Sequence, residues 1–313
     1  MSVAYITHRA FALHEMGVHH PEQPARLGAI NDRLIASGLD SVLRHHEARP
    51  AEREHLLRAH DAAYVDWIFE SSPGEGLVWL DGDTAMSPAT LEAALYAAGS
   101  AVQAVDLVMS GSAAQAFCAV RPPGHHAERA RAMGFCFFNN IAIGAAHALA
   151  AHGLRRVLIA DFDVHHGNGT ESIFGGDERI LFCSTFQHPF YPYSGHDSQA
   201  PNLVNVPLPA LADGAAFRDA VSTRWLPVIE AFEPQLIMIS AGFDAHIEDD
   251  MADLNLSEAD YAWVTRRLCE VAARHAQGRI VSMLEGGYAL NALGRSVAAH
   301  IEALLDGYPA ASD

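Results

Sequence analysis

The chain has 313 residues and a formal net charge of −18, with half of its residues hydrophobic and 19% charged. That length suits one large α/β domain or two small ones; the acidic balance argues against a nucleic-acid phosphate backbone as partner and suits cationic partners or plain solubility. The four cysteines (Cys118, Cys136, Cys183, Cys269) form no Cys-x-x-Cys pair, so disulfides are not expected and any metal site must draw on Asp and His.

The segment from Met1 to His8 has no basic region followed by an apolar core, which leaves a cytoplasmic protein as the expectation. No apolar run reaches about 18 residues, so no membrane span is expected. Residues 3–6 predict a first strand, and residues 24–35 and 88–110 predict Ala-rich helices. His45-His46 sits in a polar stretch and reads as solvated surface. Five apolar runs follow, at 116–120, 157–161, 180–184, 236–240 and 280–284. They lack polar alternation, which predicts strands buried on both faces. Helix-compatible segments at 140–152, 215–232 and 258–276 lie between them. Strand–helix alternation predicts a doubly wound, mainly parallel α/β sheet in a single domain over 1–308, with a short tail at 309–313.

Each of the five runs leads into a polar or glycine-rich segment. These are Arg121-Pro122-Pro123-Gly124-His125-His126, residues 163–170, residues 185–195, residues 242–246, and Glu285-Gly286-Gly287-Tyr288. Open parallel sheets bind ligands beyond the carboxyl ends of their strands, so five segments converge on one sheet edge. Within them Asp163-Val164-His165 is the most informative spacing. In extended backbone, residues two apart project to one side, bringing a carboxylate and an imidazole to one point. Asp244, after Gly242, supplies a third ligand, and three protein ligands with an open position describe a catalytic metal.

Four His-His pairs occur, where roughly one is expected by chance from this composition. His125-His126 follows a rigid Pro-Pro-Gly turn. Asp161 could orient one imidazole and keep it cationic, and Asn168 could orient the other without adding charge; a strand-end carboxylate such as Asp161 equally caps turns. Tyr288 could donate to a developing oxyanion or be a surface loop residue. Phe135, Tyr191 and Tyr193 could wall an apolar channel or belong to the core.

Together these segments resemble the arginase-like deacetylase superfamily, specifically bacterial proteins similar to class II histone deacetylases. The resemblance rests on residues 121–126, 134–140, 161–170, 240–246 and 284–288, and on His20-Pro21-Glu22-x-Pro24-x-Arg26-Leu27. It implies a sheet of about eight parallel strands with helices on both faces. It assigns Asp163, His165 and Asp244 to Zn²⁺, with Fe²⁺ conceivable because two carboxylates offset most of the charge. His126 matches the general base and acid, His125 its electrostatic partner beside Asp161, and Tyr288 the transition-state tyrosine. Asn168 stands where class I relatives carry Asp and class II relatives Asn. The implied channel takes Phe135, Tyr191, Gly134 and Gly287, with Arg26 below the metal and Asp83 at the rim, where Asp81 competes. A potassium ion is implied near Asp161, Asp163, His165, Ser184 and Thr185.

The implied activity is zinc-dependent hydrolysis of the amide of an acylated primary amine, acetyl-lysine foremost. An acetylpolyamine amidohydrolase, or another small-amide hydrolase, is the alternative. Met251 stands where a polyamine-selective relative carries a Glu gatekeeper, which favours acyl-lysine. A non-catalytic acyl-binding module would need neither a general base nor an oxyanion donor. The oligomeric state is left open.

Overall fold

Ten short runs of extended chain make two sheets in the structure, a computed structural model that describes residues 3–307. The expected tail at 309–313 lies outside the described residues. In chain order the strands are β1 (Val3–Thr7), β2 (Arg44–Glu47), β3 (Val78–Trp79), β4 (Ala85–Met86), β5 (Gln115–Cys118), β6 (Val157–Asp161), β7 (Ile180–Gln187), β8 (Leu203–Leu208), β9 (Leu236–Ala241) and β10 (Ile280–Leu284). β3 and β4 form an antiparallel pair. The other eight form one sheet in the order β2-β1-β5-β10-β9-β6-β7-β8, with every neighbouring pair parallel.

The five strands expected from apolar runs are therefore consecutive in space, β5-β10-β9-β6-β7, although the chain visits β6 and β7 before β9 and β10. Each is buried along its whole length, which explains why none shows polar alternation. Their carboxyl ends lie side by side at the point where the winding reverses.

The helices are α1 (Ala25–Ala36), α2 (Arg53–Leu56), α3 (Ala62–Glu70), α4 (Thr90–Met109), α5 (Asn140–Ala151), α6 (Asn168–Phe174), α7 (Gly214–Ala220), α8 (Leu226–Phe232), α9 (Glu258–His275) and α10 (Leu290–Asp306). α4 and α5 pack together and onto the sheet, while α1, α9 and α10 form a second packed group. The result is a single α/β domain with helices flanking an eight-stranded parallel sheet.

Several expectations need correction. The segment 215–232 is not one α-helix: α7 and α8 are joined by a π-helical turn, Val221–Trp225. α4 is long and apolar enough, by length and composition, to cross a bilayer. It is the Ala-rich helix expected within 88–110. Here it packs against α5, β5 and β1. His45-His46 is exposed or half-exposed as expected, yet it belongs to edge strand β2. An edge strand needs little apolar content, and the other edge, β8, carries Pro207 and Asn205 for the same reason.

Two buried histidines outside the strand ends make a testable pH response. His60 donates from Nδ1 to the Glu128 carbonyl (2.9 Å) and accepts the Asn139 N–H at Nε2 (2.9 Å). His300 lies between the hydroxyls of Thr265 (2.6 Å) and Ser282 (2.9 Å). Burial pushes them down to about 4 and about 3. Both stay neutral when folded but take a proton when unfolded below pH ~6.5. Their stabilisation is complete above that pH and is lost as pH falls toward the folded values, at up to about 1.4 kcal/mol per pH unit for each. His300→Gln, neutral throughout, is expected to shed one such slope between pH 6 and pH 4 in urea unfolding. Wild-type and variant curves that run parallel over this range would refute it.

Candidate active site

The chain turns sharply as it leaves β6. The Asp161 carboxylate accepts the Asp163 N–H (3.1 Å), and the Asp163 carboxylate accepts the His165 N–H (2.9 Å). Residues 163–165 form a bend, not an extended strand. Asp163 and His165 thus meet because two successive side-chain-to-backbone bonds fold the segment, and strand alternation is not the reason. His165 Nδ1 lies 3.1 Å from Asp163 Oδ1 and 3.3 Å from Asp244 Oδ2. Ligands of a tetrahedral zinc with bonds of about 2.0–2.1 Å stand about 3.3 Å apart.

Each carboxylate is held by its other oxygen. Gly286 N–H donates to Asp163 Oδ2 (2.8 Å), and Val164 N–H donates to Asp244 Oδ1 (3.0 Å). Asp244 Oδ2 is buried without a hydrogen-bond partner. A Cβ at Gly242 would overlap the Asp163 carboxylate, so only glycine lets β9 deliver Asp244 this close. Burial and the Asp163 charge push Asp244 up to about 6. Burial opposes the protonation of His165, yet the two carboxylates raise it to about 9. Two buried carboxylates with an orphaned oxygen and one imidazole suit a divalent cation: the residues fit the metal that the sequence implies.

The histidine pair is split by its partners. His125 Nδ1 meets Asp161 Oδ2 at 2.9 Å. Burial opposes its charge, but Asp161 and Asp163 outweigh it and raise the group to about 10. His126 is held well below its ordinary value by burial and by the charges of His125 and His165. His126 Nδ1 meets Asn168 Oδ1 at 2.8 Å, and Asn168 Nδ2 donates to Glu128 (2.8 Å). Glu128 therefore fixes the amide orientation, Nδ1 of His126 carries the proton, and Nε2 keeps a free lone pair. One imidazolium and one neutral imidazole stand in adjacent positions, with ring centroids 4.0 Å apart.

A cavity of about 290 Å³ opens onto these groups, lined by Asp83, His126, Phe135, Tyr191, Met251 and Tyr288 among others. Gly134, at φ +57°, passes so close to His126 that a Cβ would overlap the ring. The Gly134–Phe135 turn is held from the β3–β4 hairpin, by Asp83 Oδ1 on Gly134 N–H (3.2 Å) and Thr84 Oγ on Phe135 N–H (3.0 Å). Asp81 instead pairs with Arg131 (3.0 Å), whereas Asp83 lines the cavity. Tyr288 is half-buried and meets Phe135 edge-on, centroids 6.0 Å apart.

Some expected members stand elsewhere. Tyr193 is 71% exposed and belongs neither to the wall nor to the core. Gly286, not Gly287, lines the cavity; Gly287 turns its carbonyl to Arg26 Nε (2.6 Å). Arg26, expected below the metal, is fully buried beneath the tyrosine loop, bound also to Glu22 and to the Glu285 carbonyl. Asp161 and Ser184 are register partners across β6 and β7, so the five residues expected around potassium lie at and just beyond the end of β6 and on the facing part of β7.

Other contributors were missed. Phe190 stacks on His165 (5.7 Å, 23°) and lines the cavity. Glu285 accepts the N–H groups of Gly124 (2.7 Å) and His125 (3.1 Å), and burial pushes it up to about 7. Its place directly after a buried strand was the available signal. His166, beside His165, is a buried structural residue bonded to Ser184 (3.1 Å) and Glu171 (2.8 Å).

Asp106, His147 and His152 also place donor atoms together. There both imidazoles sit at 2.8 Å from one Asp106 oxygen, the distance of a hydrogen bond. Arg58 donates to His147 Nδ1 (2.6 Å), which forces the proton onto Nε2, the atom a metal would need. This cluster is a closed hydrogen-bond network.

A model of the histone deacetylase domain matches residues 20–304. The chain is 38% identical over 276 residues to the histone deacetylase-like amidohydrolase of Pseudomonas aeruginosa, covering 86% of this chain and 72% of that one. It is 38% identical over 306 residues to polyamine deacetylase HDAC10 of Homo sapiens, covering 92% of this chain and 45% of that longer protein. Among solved structures, the HDA15 HD domain superposes with a TM-score of 0.91 at 33% identity, over 99% of this chain and 90% of that one. With the same fold, and with the family's motifs gathered at one cavity, the chain belongs to the histone deacetylase family and is a deacetylase.

Proposed function

We propose that the chain hydrolyses the amide of an acylated primary amine, with the acetyl-lysine side chain as substrate and Zn²⁺ held by Asp163, His165 and Asp244. The observation that carries this reading is the adjacent pair of His126, bonded to the Asn168 amide, and His125, bonded to the Asp161 carboxylate, on an aromatic-walled cavity that also reaches His165 of the carboxylate–imidazole triad. When bound, the metal supplies Lewis-acid polarisation of the acyl carbonyl and acidifies water. His126 Nε2 takes the proton of the attacking water. Tyr288 donates to the carbonyl oxygen as negative charge develops there. His126 then returns its proton to the departing amine, so that amide and water become carboxylic acid and amine. His125 stays protonated throughout and stabilises the charge that builds up beside it. Potassium near the end of β6 is part of the same proposal.

Phe135, Phe190 and Tyr191 would enclose the four-carbon stem of a lysyl arm, at about 0.8 kcal/mol per buried CH₂. Polyamine hydrolysis is the second reading, favoured by the similarity to a polyamine deacetylase. Against it, Met251 brings no charge to the cavity lining, and Asp83 already accepts from Gly134 and Thr84. Assays in parallel on an acetyl-lysine peptide and on N-acetylputrescine decide between them. The peptide is expected to win in kcat/KM by at least about tenfold, the worth of one ~1.4 kcal/mol contact; a preference for acetylputrescine would overturn the acyl-lysine assignment.

A further inference from the structure

Tyr288 sits on a turn that its own sequence does little to hold. Gly287 before it adopts φ +122°, and Ala289 after it is the N-cap of α10 with no side chain to cap the helix. The missing cap comes from another loop. Asp249 is 5% exposed, and its Oδ2 accepts both the Tyr288 N–H (2.6 Å) and the Ala289 N–H (2.9 Å). A carboxylate there satisfies orphan donors at a helix start and suits the positive end of the helix dipole. Its other oxygen, Oδ1, accepts the Met251 N–H (3.1 Å). Asp249 lies five residues after Asp244 on the loop leaving β9. One side chain thus ties the Tyr288 backbone to the loop that carries a metal-ligand candidate, Asp244, and a residue of the cavity lining, Met251.

We infer that Asp249 is a positioning residue for Tyr288, a remote cap that holds the tyrosine turn in the geometry from which the phenol donates. The inference rests on the hydrolytic reading proposed above. Asp249→Ala is expected to lower kcat about 10- to 100-fold, the usual effect of losing an orienting partner, with KM and bound metal little changed. Asp249→Asn keeps one oxygen for the Tyr288 and Ala289 N–H groups and is expected to recover most of that loss.

The decisive measurement is a double-mutant cycle. In a Tyr288→Phe background, Asp249→Ala should cost almost nothing further, because the group being positioned is gone. An equal loss in both backgrounds would mean a general structural role and would overturn the inference. A second readout needs no turnover. Fluorotyrosine at position 288 should give one sharp ¹⁹F resonance in the wild type and a shifted or broadened one in Asp249→Ala; an unchanged resonance also overturns the inference. Absence of hydrolysis by the wild type would instead count against the hydrolytic reading, and the fluorine spectrum would still decide the role of Asp249.

Discussion

Tyr288→Phe is expected to lower kcat about 10²- to 10³-fold, the cost of removing one oxyanion donor from a preorganised site, while the protein keeps its metal and still binds a hydroxamate. The substitution removes one oxygen and leaves the ring. That ring packs edge-on against Phe135 and lies 4.9 Å from the Arg26 guanidinium, so its position should survive. Burial holds the phenol well above its ordinary value, with Arg26 opposing, so the hydroxyl stays protonated and is a donor at any working pH. A donor used only as charge develops affects kcat and leaves KM alone. Steady-state kinetics with metal analysis test this. A variant that turns over at the wild-type rate would remove Tyr288 from the chemistry.

Asp163→Ala should abolish both metal binding and activity. Asp163 faces the site with Oδ1 and fixes Gly286 with Oδ2, so its loss removes a ligand and loosens the loop before Tyr288. Losing one partner from a buried charged cluster costs about 4 kcal/mol of folding stability, and with one of three ligands gone the site should no longer retain zinc. Added zinc should raise the melting temperature of the wild type, since a ligand that binds only the folded state stabilises it. The variant should show no such rise. Stoichiometric zinc in purified Asp163→Ala, by elemental analysis, would refute the ligand assignment.

Much of this site is legible in the sequence, for reasons particular residues make plain. Strands β6, β9 and β10 are buried on both faces, so they had to be apolar throughout and could be seen as such. The chemistry sits directly after them, where a parallel sheet leaves backbone and side chains open to ligand. The two histidines could be assigned different charges because one faces a carboxylate and the other an amide, and those residue types are written in the chain. Glu285 and Asp249 were harder. Their work is to accept backbone N–H groups of distant segments, and a backbone donor carries no signature in the residue that owns it. Edge strands β2 and β8 escaped because one open side frees them from the apolar rule.

Residue types and local spacing determined which groups could bind a cation, take a proton or donate one, since those are properties of side chains. The resemblance carried by the motifs named the family for the same reason. Only the tertiary structure decided that β9 and β10 insert between β5 and β6, which brings Asp244 and Tyr288 to His126 and Asp163 from far along the chain. It also decided which glycine lines the cavity, why Asp163 and His165 meet, and what caps α10. Each of these depends on contacts between segments remote in sequence, where packing and backbone hydrogen bonding choose the partner and local preference does not.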